Sequence, residues 1–158
     1  MMKVLMAALL LIASAQALAQ SAPPEPLSAF PQSLLAIKTA NGKVVNFRIW
    51  LADTKQREEQ GMMFVRDMDV HTGMLFMFPE NQPVSMWMHN TYVSLDLLFL
   101  DAHGKIDYIA ASATPRSDAI IGPKRPEYAV LELKGGACEQ FGIKLGDTVI
   151  HSRFRNLR

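Results

Sequence analysis

Within ten residues the chain gathers an indole, an imidazole, an amide, a hydroxyl and a carboxylate: Trp87-Met88-His89-Asn90-Thr91 and then Asp96. Such groups build polar ligand pockets, with ring and aliphatic carbon giving apolar contact while amide, carboxylate and guanidinium fix a ligand's hydroxyls or carboxylates. Arg66 is the candidate guanidinium. If residues 86–89 are extended, alternation sends Trp87 and His89 to one face and Met86 and Met88 to the other. The plainer alternative makes Trp87 a core anchor, has Asn90 and Thr91 tie the turn backbone, and leaves Asp96 to pair with Arg66 or cap a turn.

Glu132 stands in the apolar run Val130-Leu131-Glu132-Leu133, where alternation sends it to the same side as Val130. Most carboxylates on strands are surface groups or structural ion pairs, so that is the expectation. Buried, it would need a cation such as Arg66 and would become a candidate functional group. Asp96 and Glu132 could act as acid and base of a hydrolase if both carboxyls converged on one cleft with separated pKa values.

Seven methionines lie between Met62 and Met88, alongside His71 and His89. Thioethers and imidazole suit Cu(I), and Trp87 could lie over the cation, so Met86, Met88 and His89 form an alternative soft-metal site. Against copper, His89 leaves the Met86/Met88 face in a regular strand, and methionine is also a common gap-filler in cores. Cys138, the only cysteine, follows Gly135-Gly136-Ala137 at the expected start of a short helix, where a thiol pKa can fall. It is more simply a packing residue. Glycine-rich phosphate loops, nucleophile elbows and His-Glu-x-x-His motifs are absent from the sequence.

These residues sit in a chain whose first segment has an export pattern. Lys3 precedes the apolar stretch Val4 to Ile12, and Ala17 and Ala19 make an A-x-A cleavage site, which predicts a signal peptide over residues 1–19 and a periplasmic or secreted product. The apolar run is shorter than the ~20 residues a spanning helix needs, and no cysteine near the cut offers a lipid anchor. No membrane span is expected after cleavage. Removing Lys3 leaves 15 basic and 15 acidic residues, without the basic excess of a polyanion binder, so nucleic acid is not an expected partner. A single cysteine allows no internal disulfide, and stability must come from one core.

Residues 20–33 carry Pro23, Pro24, Pro26 and Pro31 and read as a flexible linker, with a single domain over 34–158. Asn41-Gly42 between β-prone runs predicts a hairpin. Asp53-Thr54-Lys55-Gln56 predicts a short capped helix through Gln60, stopped by Gly61. Short β-prone runs follow at 74–78, 84–88, 95–100, 105–111 and 128–133, then a long loop is read over 114–126, a short helix at 137–141 and a last strand at 148–152. The sum is a mainly β fold, a β-sandwich or partly open β-barrel, mostly antiparallel, with two short helices.

Gly61-Met62-Met63-Phe64 with Arg66, Gly73-Met74-Leu75-Phe76, Trp87-Met88-His89-Asn90-Thr91 with Leu95-Asp96, Val130-Leu131-Glu132, Gly135-Gly136 and Gly142-Ile143-Lys144-Leu145-Gly146-Asp147 closely resemble the DUF192 (UPF0127) family in order and spacing, over roughly Phe47 to Val149. The resemblance implies a compact β-dominated domain, commonly exported, and brings no established activity. His89 departs from it, since Lys or Arg is commoner there, and so does Met86, where an aromatic is frequent. A site depending on either would belong to this chain and not to the family.

The expectation is therefore an exported binding or accessory domain without a cofactor, holding a polar envelope ligand such as a saccharide or peptide through Arg66, Trp87, Asn90, Thr91, Asp96 and Glu132. Copper binding and a carboxylate hydrolase are the alternatives.

Overall fold

The computed structural model describes residues 23–157. The expected signal peptide, 1–19, lies outside them. The strands are β1 (Gln32–Lys38), β2 (Val44–Ala52), β3 (Thr72–Gln82), β4 (Leu95–Leu100), β5 (Ile106–Ala113), β6 (Glu127–Lys134) and β7 (Thr148–Ile150), with α1 (Lys55–Gln60) after β2 and α2 (Ala137–Phe141) after β6.

All seven strands form one sheet in the order β5-β4-β6-β3-β2-β1-β7. The sheet curls until its ends meet at one corner, where Lys105 bridges Thr148 and the Val149 N–H donates to the Gly104 carbonyl at 2.7 Å. The result is a half-barrel, mainly β and mostly antiparallel as expected, but β2 and β3 pair in parallel. A parallel pair needs a crossover of a dozen or more residues, and the 19 residues between these strands supply it with only the short α1 and an irregular stretch.

Local chemistry accounts for the turns. Gly42 takes φ 84° in the β1–β2 hairpin, and the Thr39 N–H donates to the Lys43 carbonyl at 2.9 Å. The cap of α1 is Thr54, one residue later than Asp53, its side chain accepting from the Arg57 N–H at 3.3 Å. Asp53 is instead drawn to the Arg57 guanidinium at 2.8 Å.

Two expectations are corrected. Residues 84–88 are not a strand: β3 runs on to Gln82, Pro83 interrupts the ladder, and only Met86 bridges Ile121 of the 114–126 loop. The Pro-rich stretch is also docked in part, because Phe30 is buried in the core, the Glu25 N–H donates to Gln60 Oε1 at 2.7 Å, and β1 already includes Gln32 and Ser33.

The strands divide their side chains between two apolar layers. Leu35, Phe47, Ile49, Leu75, Leu98, Leu131 and Val149 fill the concave side of the half-barrel. On the other face, Met74 and Phe76 of β3, Leu97 and Phe99 of β4 and Val130 of β6 are covered by Phe30, Met62, Met68, Val84 and Met88. Consequently β4 and β6 are buried on both sides. Close approach of β3 to β6 depends on Gly73, where a Cβ would lie 2.4 Å from the Glu132 carbonyl oxygen. Gly73→Ala is expected to cost about 1–3 kcal/mol through forced separation of these strands, read as a lower urea midpoint. An unchanged midpoint would contradict that packing.

Candidate functional site

Glu132 lies near the end of β6, on the face shared with Val130, and its side chain is only 3% exposed. The expectation of a surface carboxylate is therefore overturned. Its Oε2 has no hydrogen-bond partner among the described residues. Desolvation alone pushes the carboxyl up to about 8, so at neutral pH it is a carboxylic acid, able to donate as well as accept.

The acid borders a cavity of about 230 Å³, walled by α1 and Gly61-Met62-Met63 on one side and by Ser85, Met86, Trp87 and Thr91 on the other. Gly61, at φ 49°, makes room for it: a Cβ there would stand 3.2 Å from Phe76 Cζ and 4.0 Å from Glu132 Oε2. The remaining ionisable groups on the wall are Glu58 and Glu59. Glu58 is itself raised by burial and then by the charge of Glu59. Next to this inner cavity runs a wider groove of about 820 Å³ that shares Glu59, Gln60, Met63 and Trp87 with it and adds Lys55, Phe64, His89 and Asn90.

Trp87 is 46% exposed and therefore not a core anchor. Its indole stacks on the His89 ring at 4.7 Å between centroids and 20° between planes, while His89 Nδ1 meets Asp118 Oδ1 at 2.7 Å. The 83–91 segment is held in place by the long loop: the Met88 N–H donates to the Ser117 carbonyl at 2.9 Å and the Arg116 N–H to the Thr91 carbonyl at 3.0 Å. Thr91 is buried, its hydroxyl donating to the His89 carbonyl at 3.2 Å. At the groove, Phe64 and Asn90 both have positive φ, 68° and 51°, and the Phe64 N–H donates to the Asn90 carbonyl at 2.9 Å. Asparagine tolerates this conformation, but phenylalanine is strained in it, and such strain is concentrated at binding sites.

Of the expected site residues, Trp87, Asn90, Thr91 and Glu132 are brought together. Arg66 is not: it is exposed, with its guanidinium 4.5 Å from the centre of the Tyr92 ring. Asp96 is not either. It is fully buried and takes the Ser112 and Gly136 N–H groups on Oδ1, at 2.7 and 3.1 Å, and the Cys138 N–H on Oδ2 at 2.8 Å. Asp96 is thus a structural clamp joining β4 to β5 and to the start of α2. Strand register puts Asp96 opposite Leu133 and Leu97 opposite Glu132, so the two carboxyls leave opposite faces of the sheet, and the acid–base hydrolase arrangement is excluded.

The Met86, Met88 and His89 set is divided. Met88 is enclosed in the outer apolar layer, Met86 lines the inner cavity and His89 is turned to Asp118. Among the described residues, no three His, Cys, Asp or Glu side chains gather as a metal site. Burial and the Asp96 charge both push the Cys138 thiol up, which removes it as a nucleophile. Gly61, Met63, Phe76 and the α1 glutamates were not among the expected site residues; the first three stood in motifs of the family resemblance, while the glutamates had no signal beyond the short helix ending at Gly61.

The family model for DUF192, described as an uncharacterized ACR, matches residues 36–151. The chain belongs to the DUF192 family. Among solved structures, the DUF192 fold is matched by a candidate transcription regulator from Sinorhizobium meliloti, with a TM-score of 0.77 and 38% identity over 78% of this chain and 96% of that one. A protein of unknown function from Novosphingobium aromaticivorans gives a TM-score of 0.75 and 30% identity over 82% and 91%. No curated protein matches.

Two expectations test this DUF192 site. Asp96→Ala leaves three N–H groups without their acceptor and should cost at least about 3 kcal/mol, read by denaturant unfolding; a loss under 1 kcal/mol would be inconsistent with the clamp. Between pH 4.5 and about 8 the unfolded chain ionises Glu132 while the folded chain retains its proton. Stability present at low pH is then lost as pH rises across that window and levels off above it, by an amount on the order of 5 kcal/mol. Glu132→Gln should flatten this fall relative to the parent protein, and equal slopes would refute the assignment.

Proposed function

We propose that this DUF192 member is an exported, non-enzymatic binding or accessory domain that holds a small polar ligand of the cell envelope in the cleft between α1 and residues 83–91. The carrying observation is the buried, unpartnered carboxyl of Glu132 at the wall of a cavity bordered by Trp87. Buried polar groups are normally satisfied, and a ligand that supplies the partner gains what solvent cannot give. Trp87 offers ring or aliphatic carbon a platform. Asn90 and Thr91 shape the segment that carries it.

With Arg66 elsewhere, no basic side chain lines the inner cavity. Hydroxyl, amide or amine groups suit its interior, while a ligand carboxylate belongs in the outer groove beside Lys55 and His89. Envelope saccharides and peptides have this composition. The reading of export rests on the Lys3, apolar-run and Ala17-x-Ala19 pattern. No helix among the described residues is long and apolar enough to cross a membrane.

The test is thermal unfolding of Gln20–Arg158 against envelope saccharides and peptides. A true ligand at a hundred times its dissociation constant raises the midpoint by roughly 5–10 °C. Trp87→Ala should abolish the rise while leaving the ligand-free midpoint nearly unchanged, since the side chain is half exposed. Ligand protection that survives both Trp87→Ala and Glu132→Gln would place binding elsewhere and overturn the proposal.

A further inference from the structure

We infer that the group entering the inner cavity is a protonated amine whose N–H donors reach Glu132. The inference rests on the cleft being the ligand site and adds the charge and hydrogen-bonding type of what it takes. Every ionisable side chain on the cavity wall is acidic: Glu58 and Glu59 from α1 and Glu132 from β6. The other neighbours are uncharged, Phe76 from β3, Met62 and Met63 after Gly61, and Ser85, Met86, Trp87 and Thr91 opposite them. His89 borders only the outer groove and is already engaged by Asp118. Lys55 also lies in the outer groove and approaches Glu59 at 3.8 Å.

Such a wall repels anions and gives a neutral hydroxyl no charge to exploit. A cation gains from the carboxylates, from the thioethers of Met63 and Met86, and from the quadrupole of Trp87. Glu132 Oε2 has no partner among the described residues, and an ammonium supplies N–H donors to it. At 230 Å³ the cavity accommodates several heavy atoms, more than a bare ion requires. Binding would ionise Glu132 against the incoming ammonium and release its proton to solvent, since a buried carboxylate is tolerable when paired.

The experiment uses the chain Gln20–Arg158 and two isosteric probes, n-butylammonium and n-butanol, with Cu(I) under reducing conditions as a third. Binding is followed by NMR shifts of the Trp87 indole and by calorimetry in two buffers of different ionisation heat. The ammonium is expected to bind at least tenfold more tightly than the alcohol at pH 8 and to release close to one proton per ligand at pH 7. Its affinity should climb roughly tenfold per pH unit from 6 to 8 and then level off. Glu132→Gln should lose both the preference and the proton release, whereas Glu80→Gln, exposed and lining neither cavity, should keep them.

Equal binding of both probes at Trp87, without proton release, overturns the cationic inference and leaves the cleft as a binding site for neutral ligands. A response to Cu(I) alone overturns it in favour of a soft metal. Failure of all three to perturb Trp87 overturns both the inference and the cleft as a ligand site.

Discussion

Burial of β6 on both faces is the constraint from which the site follows. The strand lies between β3 and β4 and is hydrogen-bonded to both, so its backbone is satisfied and its side chains must enter one apolar layer or the other. Ala129, Leu131 and Leu133 go to the concave side and Val130 to the outer layer. Glu132 follows Val130 and is carried by alternation into an apolar environment. Its carboxyl keeps its proton there because ionising it unpaired would cost more than holding the proton.

A second buried carboxylate, one strand over, shows what satisfaction looks like. Asp96 receives three backbone N–H groups, and its burial joins β4, β5 and the first turn of α2. Glu132 receives no such support, and around it the wall opens into a cavity where the rest of the outer layer is filled by methionine, leucine and phenylalanine. Two buried carboxyls thus have opposite roles, one spent on the fold and one left available. Glu127 also has an unpartnered buried oxygen, but its other oxygen accepts from Arg125 at 3.0 Å, which leaves Glu132 as the acid that has no cation beside it and borders a cavity.

The covering elements are positioned by contacts distant in sequence. α1 arises from the short crossover between the parallel strands β2 and β3, and the 83–91 segment is pinned to the 114–121 loop by backbone hydrogen bonds. The N-terminal stretch completes the outer groove: Glu25 pairs with Arg57 at 3.1 Å, Gln60 holds the Glu25 backbone, and Pro24 lines the groove. Strain at Phe64 is sustained because both neighbouring segments are held independently.

The sequence by itself determined what depends on nearest neighbours. Asn41-Gly42 dictated a hairpin, the Asp53-Thr54 region a capped helix ending at Gly61, and the period of two the pairing of Glu132 with Val130. A mainly β fold followed from the spacing of these elements, and the family from its resemblance to motifs such as Gly61-Met62-Met63-Phe64 and Trp87-Met88-His89-Asn90-Thr91. Tertiary structure alone decided which faces are buried, because that depends on strand partners far along the chain. It made β2 and β3 parallel, enclosed Glu132, set Asp96 on the opposite face by the register with Leu133, and turned Arg66 to Tyr92. Periodicity gives a side chain's direction relative to its own strand, whereas its solvent, partners and protonation come from the elements that the fold lays against it.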